Sequence, residues 1–205
     1  MWRALLDLLF PAQCAACNAL GSGLCNACTP RRERIEVRFP GLRVRAYGAY
    51  DGYLRAAILA LKDGRRDVAE ALGRTVAPLI ASSETLVPIP SSARRRRVRG
   101  LDGVAVVARR AAEIAGARVV TALTQCSSRP QHGRTRAQRL AAAGRFVCGD
   151  EVTARRIVLF DDVCTTGATL RDAAAAVRAA GGLVEHAVVL AVTKSEPSWR
   201  MPSIS

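Results

Sequence analysis

An α/β domain built on a mostly parallel sheet, with a small cysteine module in front of it, is the fold class that this sequence predicts. Three observations carry the expectation. From residue 41 onward, short apolar runs alternate with helical stretches of ten or more residues. The run RIVLFDD at 156–162 is apolar at successive positions until its end, as a strand covered on both faces must be. Ahead of both, Cys14, Cys17, Cys25 and Cys28 form C-x2-C-x7-C-x2-C.

Taken in order, the chain opens on MWRALLDLLFPAQC, where Leu5, Leu6, Leu8, Leu9 and Phe10 predict a short amphipathic helix ended by Pro11. Its apolar part is short, Asp7 interrupts it and no small-x-small cleavage site follows, so it does not read as a targeting signal. No run of 18 apolar residues follows, which excludes a membrane-spanning helix, and a cytoplasmic protein is expected. GLRVRAYGAY alternates in the manner of a strand pair. YLRAAILALKDG and RDVAEALGRTVAPLIAS are helical, with Gly64 as the break. ETLVPIP is a short strand closed by Pro88 and Pro90, LDGVAVVARRAAEIAG a helix with a glycine stop, and ARVVTAL a further strand. TQCSSRPQHGRTRAQ is polar and aperiodic, hence a loop. The strand RIVLFDD, the helix TLRDAAAAVRAAGG and the strand VEHAVVLAV complete the domain. The expected division is a cysteine module at 1–45, the α/β domain at 46–194 and a disordered tail at 195–205. With 205 residues, half of them hydrophobic, the chain can bury one sizeable core plus an appendage.

Seven cysteines fall into two groups. Cys126, Cys148 and Cys164 are scattered, while the four near the front make two knuckles joined through Gly21 and Gly23. Each C-x2-C turns both thiolates toward one point, and four thiolates complete the tetrahedron of a structural zinc, with no position left for a catalytic water. Two disulfides are the competing reading; a reducing compartment favours metal.

Lys and Arg total 31 against 17 acidic residues, a net charge of +14, which favours phosphates, nucleic acid or an anionic metabolite as partners. The run Arg94, Arg95, Arg96, Arg97 and Arg99 directly follows a strand end. It suits a diphosphate, whose oxygens a guanidinium binds in a fork, or a nucleic-acid track, or simply a solvated face. With aromatic residues at 4%, platforms for stacking single-stranded bases are few. The loop 127–138 carries Arg129, His132, Arg134 and Arg136 and has the length and polarity of a lid.

The chemistry concentrates in RIVLFDDVCTTGATL at 156–170. Ligands of open parallel sheets bind beyond the carboxyl ends of the strands, which puts Asp161 and Asp162 at the working edge. Amides of the turn that follows can converge on an anion at a helix N-terminus, with Gly167 allowing close approach and Thr165, Thr166 and Thr169 adding donors. Two adjacent carboxylates suit vicinal sugar hydroxyls or a magnesium bridged to them. Together these residues describe a site for a phosphorylated ribose.

This stretch resembles the fingerprint of type I phosphoribosyltransferases, in which a strand ending in two acidic residues precedes a Thr/Ser-Gly-rich loop that binds 5-phosphoribosyl 1-diphosphate (PRPP). The resemblance implies that Asp161 and Asp162 hold the ribose hydroxyls, that the loop Cys164, Thr165, Thr166, Gly167, Ala168 and Thr169 binds the 5-phosphate, and that Arg95, Arg97 and Arg99 belong to a diphosphate-binding loop, with magnesium accompanying PRPP. More widely, LLDLLFPAQCAAC with its second knuckle, YDGYLRAAILALKDG ending near Lys62, and VPIPSSARRRRVRGLD are similar to the ComF family of competence-associated, phosphoribosyltransferase-like proteins. Departures are Leu101 for an aromatic, Gly103 for a Gln, and alanines in QHGRTRAQRLAAAGRF where that family shows an Asn. Two functions follow as expectations: transfer of a phosphoribosyl group to an unidentified nitrogen nucleophile, or a non-catalytic DNA-uptake factor that binds single-stranded DNA with PRPP or a nucleotide as effector.

Overall fold

The longest strands of the chain are apolar at nearly every position, and that forces them to be covered on both faces. In the computed structural model, which describes residues 11–33, 35–91, 102–126 and 145–193, they form one six-stranded sheet. Its strands are β1 (Ile35–Phe39), β2 (Leu42–Ala49), β3 (Thr85–Pro88), β4 (Arg118–Val119), β7 (Arg156–Cys164) and β8 (Leu183–Val192), in the order β1-β2-β8-β7-β3-β4. Only β1, antiparallel to β2, departs from the parallel arrangement. Two further strands, β5 (Leu123–Gln125) and β6 (Phe146–Cys148), pair antiparallel beside it. The helices are α1 (Gly52–Lys62), α2 (Arg66–Val76), α3 (Gly103–Ala115) and α4 (Ala168–Ala179).

The pleat of β7 divides the core. Ile157 and Leu159 face α4 among Val44, Leu170, Ala173, Val177 and Val189. Val158 and Phe160 face the opposite way into a cluster with Leu54, Ile58, Leu72 and Val107 of the other three helices. From β3 the chain crosses through α3 to β4 on one side, and from β7 it crosses through α4 to β8 on the other. Connections therefore diverge between β3 and β7. A crevice is expected at such a switch point.

Two sequence expectations change in detail. GLRVRAYGAY is a single strand, and its partner is IEVRF just before it, joined through a turn at Pro40 and Gly41. ARVVTAL is not one strand: Arg118–Val119 joins the main sheet, whereas Leu123–Gln125 leaves it for β6. The cysteine module also shares the main core, because Cys14, Leu24 and Cys28 are buried in the same cluster as α1, α2 and α3. Gly23 lies so close to α2 that an added Cβ would stand 2.6 Å from the backbone of Asp67 and Val68. Arg65 ties the two regions further, donating to the Gln13 carbonyl while paired with Asp67.

The expected N-terminal helix, the arginine run 94–99, the loop 127–138 and the tail 195–205 lie outside the described residues. Among the described residues, no helix is long and apolar enough to cross a membrane.

Candidate functional crevice and cysteine cluster

The crevice opens where the topology requires it. It has a volume of about 330 Å³ and is lined by Ile89, Pro90 and Ser91 after β3, by Asp161, Asp162 and Val163 of β7, and by Lys62, Val104, Gln125, Arg145, Phe146 and Thr169. Six separated stretches of chain, counting 161–169 as one, thus meet at one edge.

Asp161 and Asp162, adjacent in sequence, are not equivalent. Asp161 Oδ1 accepts the Asp162 N–H at 2.8 Å, and burial, reinforced by the neighbouring Asp162 charge, pushes its carboxyl well above the usual carboxylate range. Asp162 instead meets Lys62 Nζ at 3.4 Å through Oδ2, and its Oδ1 accepts the Val163 N–H at 2.7 Å. Lys62 sits at the end of α1, its ammonium 5.9 Å from the centre of the Tyr50 ring. The pair therefore offers one carboxyl that favours its proton and one carboxylate held by a cation.

The loop that follows divides as well. Thr169 faces the crevice, Thr165 and Thr166 are exposed, and the Cys164 side chain is buried against the α4 side of the core. Gly167 has a φ of +69°, and a Cβ there would come within 2.6 Å of the Phe39 ring. The glycine is thus required by the left-handed turn and by Phe39 of the β1–β2 hairpin, before any ligand is considered. The Ser91 N–H donates to Asp102 Oδ2 at 3.3 Å.

Lys62, Ser91, Gln125, Arg145 and Phe146 were not chosen from the sequence as site residues. Lys62 alone carried a signal, as the last residue of a helical run. Arg145 was one arginine among many, and only the β5–β6 pairing brings it to Thr169.

At the other end of the chain, the Sγ atoms of Cys14, Cys17, Cys25 and Cys28 lie within 4.8 Å of one another. Cys17 Sγ and Cys25 Sγ are 3.7 Å apart, whereas a tetrahedral zinc with bonds of about 2.3 Å sets sulfurs roughly 3.8 Å apart. The four cysteines are unbridged and fit a metal such as zinc. Burial and the surrounding thiols push Cys28 up to about 12. Burial also acts to raise Cys14, yet the N–H groups of Cys25, Ala16 and Cys17 hold it at about 6. Unlike protonation tendencies in one cluster are what four thiols produce when they compete for charge at a single point.

No protein-family model matches the sequence. The chain is 50% identical over 46 residues to the orotate phosphoribosyltransferase of Pyrobaculum islandicum (strain DSM 4184 / JCM 9189 / GEO3), covering 22% of this chain and 24% of that one. It is 36% identical over 84 residues to the orotate phosphoribosyltransferase of Nocardioides sp. (strain ATCC BAA-499 / JS614), covering 40% and 46%. The chain thus matches less than half the length of these curated relatives. Among solved structures it overlaps an orotate phosphoribosyltransferase from Aeropyrum pernix at a TM-score of 0.41 and 19% identity, over 83% of this chain and 80% of that one. It overlaps a phosphoribosyltransferase from Corynebacterium diphtheriae at 0.39 and 17%, over 71% and 70%.

Proposed function

We propose that this protein binds PRPP in the crevice between β3 and β7 and acts as a phosphoribosyltransferase of the ComF type. The observation that carries the reading is the convergence on one crevice of Asp161, Asp162, Lys62, Arg145 and the Thr169 hydroxyl. Local sequence identity to two orotate phosphoribosyltransferases supports it independently. The ComF assignment is supported by the close cysteine cluster and by a helix that delivers Lys62 to the same crevice.

In this reading, Asp161 and Asp162 hold the ribose hydroxyls at the end of β7. Thr169 and the amides of the 164–169 turn bind the 5-phosphate. Arg95, Arg97 and Arg99 draw charge from the departing diphosphate, so that the C1–O bond breaks and an oxocarbenium-like carbon is left for a nitrogen nucleophile. Fixed charges aimed at developing charge are the main source of acceleration. Asp161 and Asp162 are the hard oxygen donors that magnesium prefers, and magnesium bound with PRPP supplies neutralisation of the diphosphate. In the knuckle, Cys14, Cys17, Cys25 and Cys28 would hold a structural zinc.

Pyrophosphate release from PRPP and magnesium, measured across a panel of nitrogenous bases, tests the catalytic claim. Release with at least one base is expected. Tight PRPP binding without release from any base moves the chain to the second reading, a DNA-uptake factor with PRPP as effector, which the +14 net charge favours. Under that reading, affinity for single-stranded DNA falls steeply with salt, and PRPP competes with it. Replacing Arg95, Arg97 and Arg99 together with Ala should weaken PRPP far more than ribose 5-phosphate, which lacks the leaving group; equal loss on both ligands removes the diphosphate role.

A further inference from the structure

We infer that Arg145 is a phosphate-binding side chain of the crevice, and that Asp172 competes with the ligand for it. The identity of the ligand as a sugar phosphate rests on the function proposed above; the anion site stands on its own geometry. Arg145 precedes β6 and reaches across to α4, where its Nη1 donates to Thr169 Oγ1 at 3.3 Å and its Nε meets Asp172 Oδ2 at 3.3 Å. Both Arg145 and Thr169 line the crevice, whereas Asp172 does not.

Among the described residues lining the crevice, the cations are Lys62 and Arg145. Lys62 is engaged by Asp162. Arg145 instead stands beside the threonine turn, at the opposite end of the α4 connection from the carboxylates. The first turn of α4 contains no acidic residue, and Arg171 follows directly after it. The positive end of that helix is thus not offset from within its own first turn. The two bonds described engage two of the five N–H donors of a guanidinium, and they hold its plane against the Thr169 hydroxyl. A phosphomonoester bound to that hydroxyl meets a fork rather than a point charge.

The Asp172 carboxylate accepts from the same guanidinium that the phosphate would use, and adds negative charge beside it. The two residues should therefore act with opposite sign on affinity, which a purely structural ion pair would not do. Both side chains are partly exposed, 56% for Arg145 and 38% for Asp172, so the unliganded fold should hardly notice either change.

The full chain is titrated calorimetrically with inorganic phosphate, ribose 5-phosphate and PRPP, beside thermal melts of each unliganded variant. Arg145→Ala should weaken ribose 5-phosphate and PRPP by the same factor, about tenfold. Arg145→Lys should recover part of the loss, and Arg145→Gln provides a second uncharged variant should the alanine fold poorly. Asp172→Asn should tighten both ligands, about threefold. Unchanged affinity for ribose 5-phosphate in Arg145→Ala or Arg145→Gln overturns the inference, as does weaker binding in Asp172→Asn. A wild-type protein that binds none of the three ligands overturns it too. If ribose 5-phosphate binds and shows the opposite-sign pattern, but PRPP binds no more tightly, Arg145 stands and the diphosphate reading fails.

Discussion

The cysteine knuckle and the crevice both gather groups that are costly to bring together, and they resolve the cost in different ways. In the knuckle, four thiols converge within 4.8 Å, and two of them sit inside the main core. In the crevice, two carboxyls converge with Lys62 and Arg145 at hand, and one carboxyl can keep its proton. The first arrangement is one that a metal could balance. The second is balanced by the chain, and the remaining imbalance is what a ligand meets.

The largest expected effect follows from that contrast. Structural zinc contributes on the order of 10 kcal/mol in small sites, and here the module is packed into the core with α1, α2 and α3. Chelation, or Cys14→Ser, should thus lower the melting temperature of the whole domain in one transition. Elemental analysis of protein purified without added metal should find one zinc per chain. Two separate unfolding steps, with the later one indifferent to chelator, would show the knuckle to be energetically detached.

The two regions also differ in how legible they were. The knuckle was readable because its four groups sit at fixed spacing over fifteen residues, where local geometry alone makes them converge. In the crevice, Asp161, Asp162, Gly167 and Thr169 were readable for the same reason, being carried by one strand-turn-helix. Lys62, Gln125 and Arg145 enter through helix ends and strand pairing that no local pattern encodes. Strand runs were recovered where burial on both faces made them apolar at successive positions, as in 157–160 of β7 and 187–192 of β8. IEVRF, an edge strand with Glu36 and Arg38 on its open face, does not stand out that way. The reason for Gly167 was only half legible: a tight approach of the backbone was expected there, but neither its left-handed φ nor the Phe39 ring against it was.

That contact gives the second prediction. Gly167→Val combines a left-handed φ, worth about 1 to 2 kcal/mol, with crowding against Phe39, worth about 1 to 3 kcal/mol. Loss of ligand binding in this variant is therefore no clean report on phosphate. A double-mutant cycle separates the causes: in a Phe39→Ala background, the cost of Gly167→Val should fall to the backbone part. An unchanged cost would mean that the hairpin does not brace the turn.

A third, smaller effect lies at the opposite edge of the sheet, and it sets a pH dependence that has nothing to do with the ligand. His186 is 4% exposed, and burial, with Arg45 and Arg43 next, lowers its ring to about 4 from the ordinary 6.5. Glu185 and Glu36 oppose the shift. The ring is neutral at pH 7, so its 3.5 Å approach to Glu84 is not an ion pair there, and Nε2 accepts from Arg45 at 3.3 Å. Between 4 and 6.5 the unfolded chain binds the extra proton, so the stability this residue contributes is present above 6.5 and is lost as pH falls toward 4. Denaturant midpoints of wild type and His186→Gln should diverge by roughly 2 kcal/mol between pH 7 and about pH 4.5. Parallel profiles would show that His186 does not titrate with folding.

The smallest effects sharpen the comparison within the crevice itself, where the two carboxylates ought to part company. The Lys62–Asp162 pair spans 3.4 Å with side chains 35% and 18% exposed, so Asp162→Asn should change stability by less than about 1 kcal/mol. Asp161 runs the other way. Its folded carboxyl favours the proton, so between its unfolded value and its raised folded value the native state binds more protons, and stability falls as pH rises. Asp161→Asn removes that cost while keeping the shape and the acceptor for the Asp162 N–H. The variant should therefore match wild type near pH 4 and exceed it increasingly toward pH 7. Thermal melts of the two variants across that range decide the matter, and PRPP titrations beside them should show binding lost in both. If Asp161→Asn instead destabilises the protein at pH 7 and leaves PRPP binding intact, Asp161 is a structural brace of the β7 end, and the ribose contact falls to Asp162 alone.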